Sequence, residues 1–175
     1  MASNLVLIGF MGTGKTTVGR LCAARLGYRF CDSDAVIEAR TGGSIARFFE
    51  QHGEAAFRQM EREVIRELAA TPGLVIATGG GAALNPENVA DLRAGGRVVL
   101  LTASPEVLLK RVGDARSRPL LADAADPRAR IATLLADRLP HYERAAHHRV
   151  NTTDRRPQEI AAEIVAWYRA QESDT

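Results

Sequence analysis

The sequence predicts an α/β domain: a five-stranded parallel sheet covered on both faces by helices. Two observations point there. Short apolar runs alternate with longer stretches of helical pattern, the order expected of strands buried on both faces and joined by crossover helices. The residues that close the first three runs are glycine-rich or acidic, so polar chemistry gathers at the carboxyl ends of strands, where open α/β sheets bind ligands. The length, 175 residues, fits a single domain spanning 1–175, and a composition of 46% hydrophobic and 25% charged residues is enough for a core.

Asn4 to Ile8 (NLVLI) reads as the first strand, stopped by Gly9. A glycine-rich turn leads into a helix from Lys15 to about Leu26, which Gly27 is placed to end. Tyr28 to Cys31 is a second short strand, opening onto Asp32 and Asp34. Residues from about Ala35 to Ala70 read as helical with interruptions near Gly42, Gly43 and Gly53, and Ser44 is a candidate N-cap. Leu74 to Ala77 is a third buried strand, followed by Gly79, Gly80 and Gly81. Arg97 to Leu101 is the fourth, and a helix from Pro105 to about Val112 comes next. Asp114 to Asp126 is polar and poorly patterned, the composition of a mobile loop. A helix from about Pro127 to Leu139, a fifth strand at His148 to Val150 and a final helix opened by Pro157 complete the chain. There is no internal repeat.

With 23 Lys and Arg against 21 Asp and Glu, the net charge of +2 is too balanced for a general nucleic-acid binder. Two cysteines, Cys22 and Cys31, make no disulfide framework and no Cys/His metal site. The longest apolar runs, such as Val98 to Leu101, are too short to span a bilayer, and no charged region with a cleavage site precedes the first strand. A reduced cytoplasmic protein is expected, with neither membrane nor nucleic acid as partner. His141, His147 and His148 have no metal-binding spacing, and Trp167 and Tyr168 read as packing residues.

Gly9 to Thr16 reads G-F-M-G-T-G-K-T, a match to G-x-x-x-x-G-K-[ST] between a strand and a helix. The glycines let successive N–H groups point at phosphate oxygens, and the helix adds its positive end. Lys15 supplies charge to the β- and γ-phosphates, and the Thr16 hydroxyl is a ligand for Mg²⁺. This is the phosphate loop of P-loop proteins. By itself it does not separate a kinase from a GTPase, a motor or a transporter subunit.

Asp32 and Asp34 lie at a strand end, where their side chains need not point the same way; one can serve Mg²⁺ through water while the other faces an acceptor hydroxyl. Glu54, Phe57, Arg58 and Glu61 share one helix face, and by periodicity alone that is an ion-paired surface with a core Phe. Three glycines in a row lose conformational entropy on folding, and one use of them is close backbone approach to a ligand.

Taken together, these segments resemble the shikimate kinase family over nearly the whole chain. The specific features are D-S-D-x-x-I-E at Asp32 to Glu38, F-x-x-x-G-E-x-x-F-R-x-x-E from Phe49 to Glu61, and A-T-G-G-G at Ala77 to Gly81. Arg118-Pro-Leu-Leu, Arg138-x-Pro-x-Tyr and Arg155-Arg156-Pro157 also fit. The resemblance implies an ATP-dependent kinase that phosphorylates the 3-hydroxyl of shikimate, on the route to chorismate and aromatic amino acids. It implies a P-loop three-layer fold with a substrate-binding segment at about 33–62 and a lid at about 113–125. In that family pattern Asp34 orients or deprotonates the acceptor hydroxyl, Arg58 and Arg138 grip the substrate carboxylate, and the backbone of Gly79, Gly80 and Gly81 meets the ring hydroxyls. Gly12, Thr13, Gly14, Lys15, Thr16 and Thr17 hold ATP, with Arg111 and Arg155 flanking the adenine beside Pro157. Asp32 and Thr16 serve one Mg²⁺ per subunit. Lys15, Asp34 and Arg118, the lid arginine, are the catalytic set, and a monomer is expected. Arg116 is the alternative to Arg118, as Arg156 is to Arg155.

Two other functions fit part of this pattern. A kinase for gluconate or a nucleoside monophosphate shares the loop, but a nucleotide acceptor calls for a base pocket and more phosphate-binding arginines. A nucleotide switch lacks a use for the acceptor-site residues, and no N-K-x-D motif for guanine is evident.

Overall fold

The computed structural model describes residues 3–112 and 125–173. Its sheet has five parallel strands in the order β2-β3-β1-β4-β5: β1 (Asn4–Ile8), β2 (Arg29–Asp32), β3 (Leu74–Ala77), β4 (Gly96–Thr102) and β5 (His148–Asn151). Adjacent residues of β1 feed different cores. Val6 and Ile8 join one cluster with Ile65, Leu92, Leu108, Ile131 and Tyr142; Leu5 and Leu7 join the other with Val18, Cys22, Ile160, Ile164 and Tyr168. The period of two in a strand places helices on both faces. On one side lie α1 (Lys15–Leu26) and α7 (Pro157–Ser173). On the other lie α3 (Ile45–Ala70), α4 (Pro86–Gly95), α5 (Pro105–Val112) and α6 (Pro127–Ala145). α2 (Ser33–Thr41) follows β2 and packs on α3 through a small third core of Ile37, Phe57 and Val64.

The punctuation follows the sequence. Gly27 and Gly42 take left-handed conformations that close α1 and α2, Ser44 caps α3 through the Arg47 amide, and Gly53 (φ 80°) kinks α3 without ending it. Three details differ from expectation. A 3₁₀ turn (Ala82–Leu84) and α4 lie between the third and fourth strands, where no helix was expected. α6 continues through Pro140 to Ala145 instead of stopping near Leu139. β2 is an edge strand and only partly buried.

Asn4, buried in β1, ties the sheet to the end of α3. Its amide donates to the carbonyls of Ala69 and Thr71, and its side-chain oxygen accepts from the Leu74 amide at 2.9 Å. No helix of the described residues is long and apolar enough to cross a membrane.

Candidate active site

The loop after β1 turns on three glycines with positive φ: Gly9 (142°), Gly12 (79°) and Gly14 (96°). Gly14 occupies the N-cap of α1 and offers no side chain, so the first amides of that helix stay available to an anion. Lys15 folds back over the loop and donates to the carbonyls of Gly9 at 2.7 Å and Phe10 at 2.9 Å. Thr13 is buried and donates to the Phe10 carbonyl, which makes it a brace of the loop. Gly12, Gly14, Lys15, Thr16 and Thr17 line a cavity of about 330 Å³.

The two aspartates face different ways. Asp32 caps α2, its Oδ1 accepting from the amides of Asp34 (3.0 Å) and Ala35 (3.3 Å), while its Oδ2 accepts from the Thr16 hydroxyl at 3.0 Å. Asp34, the second residue of that helix, takes no part in that contact. Its Oδ1 is buried with no hydrogen-bond partner. Burial, reinforced by the charges of Asp32 and Glu61 and opposed by Lys15, pushes the acid up to about 6.

A second cavity, about 410 Å³, is lined by Asp34, Arg58, Glu61, Gly79, Gly80, Gly81 and Arg138, with an apolar wall of Met11, Ile45, Phe49 and Phe57. Arg58 comes from α3 after the Gly53 kink and pairs with Glu61 at 2.8 Å and with Glu54 at 3.6 Å. Arg138 comes from α6; it is buried and lies 5.8 Å over the Phe10 ring. None of the three glycines has a positive φ. Two of them leave room for neighbouring side chains: a Cβ at Gly79 would sit 2.6 Å from Asp34 Oδ1, and one at Gly81 would sit 2.5 Å from the Arg58 guanidinium, whereas one at Gly80 would meet nothing closer than 3.4 Å. The run is held at two points, the Gly79 amide donating to Ser33 Oγ at 3.0 Å and the Tyr142 hydroxyl donating to the Gly80 carbonyl.

The two cavities share Met11, Asp34, Gly79 and Gly80, so the phosphate loop and the arginine-lined chamber form one cleft with Asp34 at the junction. Arg111 projects from α5 and donates to the Gly12 carbonyl at 3.3 Å. Arg155 is drawn toward Asn151 and Glu163, and Arg156 pairs with Glu159. Arg118, its alternative Arg116 and all of the expected lid except Ala125 lie outside the described residues.

Three residues of the site escaped the sequence. Glu61 looked like a surface partner of Arg58, yet it is buried in the chamber wall, where desolvation holds its carboxyl above the usual range against the pull of Arg58. Its spacing of three from Arg58 was the signal. Tyr142, four residues after Arg138 on the same helix face, belongs to the Arg138-x-Pro-x-Tyr pattern, which by itself gives it no chemical role. Ser33 gave no sequence signal beyond lying between the two aspartates.

Residues 11–169 match the family model for shikimate kinase. The shikimate kinase of Caldanaerobacter subterraneus subsp. tengcongensis is 44% identical over 94% of this chain and 95% of its own. That of Geobacter sulfurreducens is 48% identical over 95% of this chain and 91% of its own. Among solved structures, shikimate kinase from Acinetobacter baumannii in complex with shikimate superimposes with a TM-score of 0.93 at 38% identity, covering 98% of this chain and 96% of that one.

Proposed function

The chain belongs to the shikimate kinase family, and from that premise we propose that it transfers the γ-phosphate of ATP to the 3-hydroxyl of shikimate, giving shikimate 3-phosphate and ADP. The observation that carries this beyond family membership is the shared boundary of the two cavities: a triphosphate cradle meets an arginine-lined chamber at a single carboxylate, Asp34.

The geometry is compatible with the roles that the family pattern implies. The substrate carboxylate lies against Arg58 and Arg138, whose guanidinium groups donate paired hydrogen bonds to planar anions. The ring rests on the Gly79 to Gly81 backbone, where a Cβ at Gly79 or Gly81 would press on Asp34 or Arg58. Asp34 accepts the proton of the hydroxyl as its oxygen attacks the γ-phosphorus and the bond to the β-phosphate oxygen breaks. In its ionised form Asp34 has an unpartnered oxygen for that proton. Lys15 leaves its carbonyl partners for the phosphates, and Arg118 adds positive charge from the lid segment; positioning and charge neutralisation are the main demands of phosphoryl transfer. Gly12, Thr13, Gly14, Thr16 and Thr17 cradle the nucleotide, and Arg111 and Arg155 flank its base.

Thr16 and Asp32 suit Mg²⁺. They present two hard oxygen donors 3.0 Å apart, the kind of ligand suited to an ion that keeps waters and binds phosphates. When bound, the ion neutralises charge on the β- and γ-phosphates. A monomeric, cytoplasmic enzyme completes the proposal.

Incubating the protein with Mg-ATP and shikimate, and following ADP release together with the mass of the product, tests it. Turnover strictly dependent on shikimate, with a singly phosphorylated product, is expected. Equal turnover without an acceptor, or a preference for gluconate or a nucleoside monophosphate, overturns it.

A further inference from the structure

Thr152, just after β5, is buried and stands where four segments meet. Its amide donates to the Thr102 carbonyl at 2.7 Å, extending the β4–β5 ladder. Its hydroxyl lies 3.0 Å from the Thr13 carbonyl in the phosphate loop, 3.1 Å from the Thr102 carbonyl and 3.0 Å from a terminal nitrogen of Arg111. A hydroxyl has one proton and two lone pairs. Arg111 can only donate, so it occupies a lone pair, and the proton goes to the two carbonyls. The other terminal nitrogen of Arg111 donates to the carbonyl of Thr152 itself at 2.9 Å. The guanidinium is thus gripped by the side chain and main chain of one residue, and it also reaches the Gly12 carbonyl.

We infer that Thr152 is a positioning residue for the nucleotide, acting through Arg111. Its hydroxyl locks the Arg111 guanidinium to the phosphate loop, so the base-flanking and phosphate-binding parts of the site are fixed to each other before ATP arrives. The inference rests on the kinase assignment and on the place of Arg111 beside the base. The physical gain is preorganisation. A long, largely exposed arginine otherwise loses rotamer freedom when ligand binds, and that loss weakens binding. The packing alone does not need the hydroxyl, because valine has the shape of threonine.

The test compares Thr152→Val with Thr152→Ser. The valine variant is expected to raise KM for ATP and the Kd for Mg-ADP by about tenfold, the scale of one hydrogen bond to a charged group. KM for shikimate stays within about twofold. The serine variant, which keeps the hydroxyl, stays near wild type for both. In an Arg111→Ala background, Thr152→Val adds less than about twofold if it acts through that arginine. An unchanged KM for ATP and Kd for Mg-ADP in the valine variant overturns the inference. So does a loss that serine fails to rescue, one that strikes both substrates together with the Tm, or a full tenfold effect without Arg111. Should valine fail to fold, Thr152→Ala replaces it; if neither folds, the residue serves the fold and the inference fails. Wild-type turnover in the same assay reports separately on the kinase assignment, since Mg-ADP binding needs no acceptor.

Discussion

Gly81→Ala moves Arg58 without removing its charge. Gly81 sits at φ −96°, ψ −7°, a backbone that alanine adopts without strain. The added methyl, however, would lie 2.5 and 2.6 Å from the two terminal nitrogens of Arg58 and 2.8 Å from the carbon between them. Ordinary contact begins at about 3.5 Å, so the guanidinium must retreat by roughly 1 Å. It is able to do so, because it is the far end of a flexible side chain and partly exposed. The retreat strains the 2.8 Å pair with Glu61 and takes the donors away from the place proposed for the substrate carboxylate. A charge-assisted hydrogen bond is worth about 1.5–3 kcal/mol, so KM for shikimate should rise between about tenfold and about a hundredfold. KM for ATP and the Tm should barely change. Steady-state kinetics with each substrate varied in turn, and a thermal melt, read all three. A shikimate KM within about twofold of wild type would refute the argument. A further check is available in Arg58→Ala, itself expected to weaken acceptor binding by about 2–5 kcal/mol: there, the extra methyl should have nothing left to displace.

Lys15→Ala should lower kcat by about a hundredfold or more while leaving the melt intact, as loss of charge stabilisation in the transition state does; near-normal turnover would remove the loop from catalysis. Because burial and neighbouring carboxylates raise Asp34 from 3.8 to about 6, its neutral form favours the fold, a contribution fully present below about pH 4 and lost as pH rises through about 6. Asp34→Asn should therefore abolish transfer yet raise the Tm at pH 8, with the advantage vanishing near pH 4, and wild-type kcat/KM should fall below about pH 6; a Tm difference independent of pH would contradict this. Gly96→Ala would set a methyl 2.2 Å from the Asn4 carbonyl, backbone against backbone, and should destabilise by about 3 kcal/mol in urea melts.

The parts of the molecule that were legible in the sequence are those where local chemistry and tertiary role coincide. β1, the phosphate loop and α1 are marked by an apolar run, obligatory glycines and a lysine, and each needs only its own residues to be recognised. α4 was not legible because its pattern is weak: it buries only Asn88 and Leu92. Its signals were Asn85 as cap and Pro86 at the first turn, together with the need for a crossover between parallel strands that are not neighbours. α6 ran on because Pro140 is flanked by anchored residues, Arg138 before it and Tyr142 and Ala145 after it, all buried. Within the site, Asp34 and Arg58 stood out by their motifs. The burial of Glu61 did not, since it depends on what α3 meets across the sheet ends.

The position of β1 has a consequence for how the chain comes to be folded. It precedes both of its partners in the chain and ends at the middle of the sheet, yet those neighbours are residues 74–77 and 96–102. Until residues 74–77 have emerged, NLVLI has no edge to join on either side, and one side stays open until 96–102 follow; an apolar strand without partners is a template for aggregation. Nascent chains halted before residue 74 should therefore stay unfolded and sticky, whereas those extended past 102 have the central three strands to assemble on.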